Sequence, residues 1–231
     1  MSTREFGEAR RVMTGVTAAL ERHCLLWLAA RLPSWINADH LTVLALAAML
    51  TAGVSYSVSR THRPALLMAI VSLAVNWFGD SLDGTLARMR RQQRPRYGFY
   101  VDHVVDCFGV LFLLGGLALS GYMSPLIAMG VLVAYFMLSI EVYLATYCLR
   151  VFKLSFWGFG PTELRLLLAI GTMALLSDPS VAILGRSYRL FDVGGLVAII
   201  CLLVTLVISV IRNVRALSLA EPRPPLIQAG R

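Results

Sequence analysis

Four aspartates stand at the edges of apolar segments: Asp80 and Asp83 close one, Asp102 and Asp106 open the next. Charge in or beside hydrocarbon is costly, so acids there mark a working site rather than a solvated face. In helices, Asp80 and Asp83 are i, i+3 neighbours and Asp102 and Asp106 are i, i+4 neighbours, so each pair shares a face. Two antiparallel helices could bring all four together. Crowded carboxylates repel unless a cation neutralises them, and an all-oxygen donor set suits a hard divalent ion such as Mg²⁺, Mn²⁺ or Ca²⁺. Gly84 and Ala87 beside the first pair carry almost no side chain, which leaves the backbone open to a flat or bulky ligand. The competing reading pairs the acids with nearby arginines, for example Asp83 with Arg90 or Arg91. Basic residues are too few beside Asp102 and Asp106 for that to serve the whole set.

The positions of Asp80, Asp83, Gly84, Ala87, Arg88, Gly98, Asp102 and Asp106 form a motif that resembles the CDP-alcohol phosphotransferase signature. All eight fixed positions match over 27 residues. The resemblance implies a homodimeric transferase that binds a CDP-linked lipid through its diphosphate, with one or two Mg²⁺ or Mn²⁺ ions. An acceptor hydroxyl attacks the lipid-side phosphorus and CMP leaves. On this reading Asp80, Asp83, Asp102 and Asp106 hold metal, and Asp106 is also the candidate general base. Asp80, Asp83, Gly84, Ala87, Arg88 and Gly98 receive the CDP moiety, with Arg88 on a phosphate.

The remainder of the chain must supply a membrane scaffold. Hydrophobic residues make up 58% of it and charged residues 15%, a membrane composition. The net charge of +8 comes from arginines gathered in the gaps between apolar segments. That pattern fits positive-inside topology and anionic lipid, and no alternation of basic and aromatic residues points to nucleic acid. Cys24, Cys107, Cys148 and Cys201 are scattered singly, with no zinc or redox grouping.

Spanning hydrocarbon takes roughly 20 apolar residues in a helix. Six segments qualify or nearly so: 41–59, 64–86, 98–120, 124–148, the short 161–176, and 190–211. The fold expected is therefore an all-α integral membrane protein with six transmembrane helices. Residues 1–40 read as a cytoplasmic or interfacial segment. Its amphipathic helix carries Met13, Val16, Leu20, Cys24 and Trp27 as the apolar stripe, leaves Glu21, Arg22 and Arg31 off it, and ends at Pro33. The transmembrane domain covers 41–213, and 214–231 reads as a disordered cytoplasmic tail. The first apolar run follows about forty residues that include five arginines, unlike a cleavable leader. Six spans put both termini on one side, which receives seventeen of the twenty-one basic residues. The carboxylate end then faces the cytoplasm, in a cell (inner) membrane.

Small residues recur around the acids: Asn76, Asp80, Asp83, Gly84 and Ala87 in one segment, and Gly98, Asp102, Asp106 and Gly109 in the next. They predict close approach of the two helices. His103 adjoins Asp102 and could assist proton transfer, but one position round the helix it is expected to point elsewhere. Arg150, Lys153 and Arg165 flank the loop before the fifth span. They would suit a phosphorylated acceptor, or serve only as positive-inside charge. Glu141, deep in the fourth span, requires a partner, either the acceptor cavity or Arg165.

Three activities are compatible with these residues. The leading one moves a phosphatidyl group from CDP-diacylglycerol to a small alcohol. Asp102-His-Val-Val-Asp106-Cys107 departs from the Asp-Pro-Leu-Ala-Asp-Lys usual in phosphatidylglycerophosphate synthases, which leaves inositol phosphate, serine or another small alcohol ahead of glycerol 3-phosphate. The second uses CDP-choline or CDP-ethanolamine with diacylglycerol, as Asp102-His103 would suit. The third is a divalent-cation carrier, which leaves Gly84, Ala87 and Arg88 without a role.

Overall fold

The computed structural model describes residues 10–12, 18–149, 151–153, 161–177, 180–183 and 185–221. Seven helices make up nearly all of it: α1 (Ala18–Ala29), α2 (Ala38–Val58), α3 (Ala65–Met89), α4 (Pro95–Ser120), α5 (Pro125–Leu149), α6 (Pro161–Ser177) and α7 (Leu190–Ala220). Two short pairings accompany them. Strand β1 (Arg10–Val12) lies parallel to β2 (Val151–Lys153), and β3 (Ser180–Ile183) forms an antiparallel hairpin with β4 (Arg186–Arg189).

Five helices, α2 to α5 and α7, are long and apolar enough to cross a membrane. The helix α6 has 17 residues, about 25 Å at 1.5 Å per residue, short of a hydrocarbon core of about 30 Å. Large apolar side chains on α5 and α7, among them Leu126, Met129, Val133, Val197 and Val204, are exposed. In a water-soluble protein these would be buried; here lipid can cover them. The last helix runs to Ala220, so the expected disordered tail is corrected at its start: 214–220 continue the helix, and 222–231 lie outside the described residues.

The helix α2 is the common wall of the site, since α3 and α4 both pack against it. Its start is fixed by a capping box. The Asn37 side chain accepts from the His40 N–H at 3.0 Å, and His40 Nδ1 accepts from the Asn37 N–H at 3.3 Å. Glycines set how close the neighbours come. A Cβ at Gly116 of α4 would fall on the backbone of Gly53 in α2, and a Cβ at Gly79 of α3 would meet Leu41 O at 2.6 Å. Gly109 likewise faces Met49 of α2. Of the expected stripe, Gly109 and Asn76, which donates to Ala45 O at 3.0 Å, meet α2, while Gly84 and Gly98 do not. A methyl at Gly116 must force the helices apart. Gly116→Ala is expected to destabilise the fold by about 1–3 kcal/mol, the usual cost of overpacking, read as a lowered melting temperature in detergent. An unchanged melting temperature would contradict the backbone contact.

A core of Tyr56, Leu66, Leu73, Leu113, Leu117, Leu132, Leu175 and Phe191 fills the centre and joins α2 to α7. Within it Tyr56 and Thr172 share a buried hydrogen bond of 2.5 Å between α2 and α6. At the end away from the acids, Asp192 accepts from both the Ser124 N–H and hydroxyl at 2.6 Å, and Arg63 donates to Leu175 O at 3.2 Å. At the acid end a second cluster, Leu25, Ala29, Leu41, Leu82 and Leu86, docks α1 on α3. The buried face of α1 is thus Leu25 and Ala29, while Cys24 and Trp27 of the expected stripe are exposed. Met13 and Val16 lie outside the described residues.

Candidate active site

The motif acids come together between the last turns of α3 and the first turns of α4. Ligand oxygens of Asp80, Asp102 and Asp106 all lie within 4.8 Å of one another, and all three residues are partly buried. The five-residue link before α4 closes sharply, with Arg91 in the left-handed region at φ 55°. The Arg90 guanidinium is turned back to the α1–α2 connection. There it donates to the carbonyls of Leu32 at 3.0 Å and Pro33 at 2.9 Å, and also to Ile36. Arg90 therefore does not neutralise Asp83. The latter instead accepts from the Thr42 hydroxyl of α2 at 2.7 Å, and it stands outside the three-acid group.

The basic partner inside the site comes from α6. Arg165 Nη2 lies 2.5 Å from Asp80 Oδ2, with both side chains largely buried. Its second terminal nitrogen, Nη1, is buried without a hydrogen-bond acceptor. A buried guanidinium N–H with no acceptor is costly, so this group suits an anion arriving beside Asp80. Glu141 is not its partner: Glu141 Oε1 accepts from Asn213 of α7 at 2.7 Å. Of the other basic residues expected to face the acceptor, Arg150 and the side chain of Lys153 lie outside the described residues.

The small motif residues keep space open. A Cβ added to Gly84 would touch only the Arg88 guanidinium, at 3.4 Å, and one at Gly98 would meet nothing within 4 Å. Arg88 folds back to Thr85 at 3.2 Å. Beside Ala87 opens a cavity of about 450 Å³ lined also by Asn37, Asp39, Leu86, Gln93 and Arg94. Its rim is tied by Arg94, whose Nη2 is 2.5 Å from both Asp39 oxygens. That hydrogen bonding raises the already high proton affinity of the exposed guanidinium. His103 Nδ1 lies 3.9 Å from Asp102 Oδ2. It is buried, with Nδ1 2.6 Å from Phe99 O and its ring against Phe99 and Tyr143.

Three contributors escaped sequence reasoning: Thr42, the Asp80–Arg165 contact, and Glu21. Each depends on a pairing across helices far apart in the chain. Glu21 carried no local signal, since Glu21-Arg22-His23 reads as a solvated polar face of the helix.

The oxygen-only cluster fits a hard divalent cation by donor type and spacing. A family model described as CDP-alcohol phosphatidyltransferase matches residues 35–211, a span that holds every motif residue and both helices that carry the acids. No curated protein matches the chain.

Proposed function

Since the chain belongs to the CDP-alcohol phosphatidyltransferase family, a membrane-bound transferase that moves a phosphatidyl group from a CDP-alcohol in phospholipid synthesis, we propose that it uses CDP-diacylglycerol and a small alcohol. The observation that carries this reading is the convergence of the Asp80, Asp102 and Asp106 oxygens within 4.8 Å of one another, on two helices inside the span that matches the family. The CDP moiety is assigned to the motif residues: Ala87 lines a cavity of about 450 Å³, and an added Cβ would meet only Arg88 at Gly84 and nothing within 4 Å at Gly98. Arg88 is the proposed phosphate contact of the motif.

Asp80, Asp83 and Asp102 are the proposed holders of one or two Mg²⁺ or Mn²⁺ ions, with Asp106 at their border. A divalent cation bound there would draw negative charge off the diphosphate and stabilise the leaving CMP. Thr42 orients Asp83 by donating to it. The α3 and α4 acids orient the donor while the acceptor alcohol enters from the α6 side. Asp106 takes the hydroxyl proton as the alcohol oxygen bonds to the lipid-side phosphorus and the bond from that phosphorus to CMP breaks.

The aminoalcohol alternative rests on His103, whose ring packs on Phe99 and Tyr143 and whose Nδ1 lies 3.9 Å from Asp102; the donor test below separates the two. A carrier reading is set aside by membership of a transferase family. In the proposed arrangement α6 is the fifth of six spans, and 41–213 is the catalytic domain. The outward Cys24 and Trp27 face of α1 rests in the membrane interface, and a homodimer sits in the inner membrane with the acids toward the cytoplasm. Seventeen of twenty-one basic residues on that side support the orientation.

The test is CMP release by purified protein given CDP-diacylglycerol, Mn²⁺ and one acceptor at a time. Release that depends on an added alcohol is expected. Release only with CDP-choline and diacylglycerol would overturn the donor assignment. Arg165 sharpens the acceptor question, because its unpartnered nitrogen suits a phosphate. With a phosphorylated acceptor such as inositol 1-phosphate, Arg165→Ala should raise the acceptor KM about 10–100-fold, since hydrogen bonds to charged groups contribute about 1.5–3 kcal/mol. An unchanged KM would return Arg165 to a purely topological role.

A further inference from the structure

The geometry points to Glu21 as a positioning residue that holds Arg165 against Asp80. One carboxylate oxygen of this α1 residue accepts three hydrogen bonds. Trp77 Nε1 of α3 donates at 3.0 Å, Ser81 Oγ of α3 at 3.1 Å, and Thr162 Oγ1 of α6 at 2.9 Å. The donors are not scattered. Ser81 is the neighbour of Asp80, and Thr162 sits one turn before Arg165. The two ends of the Arg165–Asp80 contact are therefore both fastened, one residue and one turn away, to a single anion on a third helix. The first turn of α6 offers unpaired N–H groups and a positive dipole end, which a carboxylate favours. Trp77 also packs in the cluster that seats α1 on α3, so the anion cannot shift without disturbing an apolar contact.

The inference rests on the proposed cation site at Asp80. Arg165 occupies one Asp80 oxygen and places a positive charge at the cluster, so it opposes a cation there. Loosening α6 should let Arg165 move away and strengthen cation binding. Glu21→Gln and Glu21→Ala remove the same charge, but only the amide keeps an acceptor for the three donors. The comparison between them isolates the positioning effect.

The probe is Mn²⁺ binding to the full-length protein in detergent, followed by electron paramagnetic resonance without substrate. Glu21→Ala should bind Mn²⁺ about fivefold or more tightly than Glu21→Gln, the low end of ordinary coupling between sites. In an Arg165→Ala background the two variants should agree within about twofold, as a closed double-mutant cycle requires. Equal affinities with Arg165 present, or a difference that persists without it, would overturn the role given to Glu21. Asp80→Asn tests the underlying reading separately: if it leaves Mn²⁺ affinity intact, the cation site itself is wrong. Should Glu21→Ala fail to fold, Thr162→Val removes one donor and should shift affinity in the same direction, relative to wild type, by a smaller factor. No shift in that variant would again overturn the inference.

Discussion

Asp102→Asn should lower the turnover of CDP-diacylglycerol by about 10²–10³-fold or more, the range seen when one preorganised electrostatic partner of a reacting group is removed. It should weaken Mn²⁺ binding in parallel. The carboxylate lies within 4.8 Å of the acids of Asp80 and Asp106, so its charge is one of three focused on a small volume. The amide matches its shape but not its charge. Folding should therefore survive, and relief of repulsion among the acids should leave the melting temperature equal to or above that of wild type without metal. The loss should appear in kcat and in Mn²⁺ affinity together, since both depend on the same oxygen. Near wild-type turnover, or Mn²⁺ affinity unchanged in a folded variant, would remove Asp102 from the site.

That experiment concerns residues legible in the chain without coordinates, and the reason is local. Asp80 with Asp83, and Asp102 with Asp106, are joined by helical periodicity alone, and the apolar runs around them have the lengths of membrane helices. In the structure Pro64, Pro125 and Pro161 each stand at or beside a helix start. The contacts between helices were not legible. Small residues such as Gly109 predicted close packing, but nothing in their spacing says against which helix, and the partner of Gly109 is α2. The same holds for polar contacts. Arg90 and Arg165 are equivalent as charges flanking apolar segments. In the fold, Arg90 caps backbone carbonyls and Arg165 reaches an acid of the site. On α1, Cys24 and Trp27 of the periodic stripe face outward, and the buried positions are Leu25 and Ala29. A helix with membrane on one side and protein on the other has two apolar faces, so periodicity alone cannot rank them.

The same three-acid geometry leaves one question for Asp106, and its substitution separates the two roles proposed for it. Asp106→Asn should reduce kcat by about 10²–10⁴-fold, the usual contribution of a positioned general base. The KM for CDP-diacylglycerol should stay within a few-fold. In the proposed arrangement the diphosphate is held mainly by groups on α3 and by Asp102, which this variant keeps, so the donor should still bind. What it loses is the oxygen that receives the acceptor's proton while the new phosphorus–oxygen bond forms. A loss confined to kcat is the mark of an interaction made only in the transition state. The Mn²⁺ affinity of this variant should fall less than that of Asp102→Asn, because Asp106 borders the cation rather than anchoring it. If both substitutions weakened Mn²⁺ equally and the loss of turnover vanished at saturating metal, Asp106 would be a ligand only. The proton would then have to leave through another group on the acceptor side.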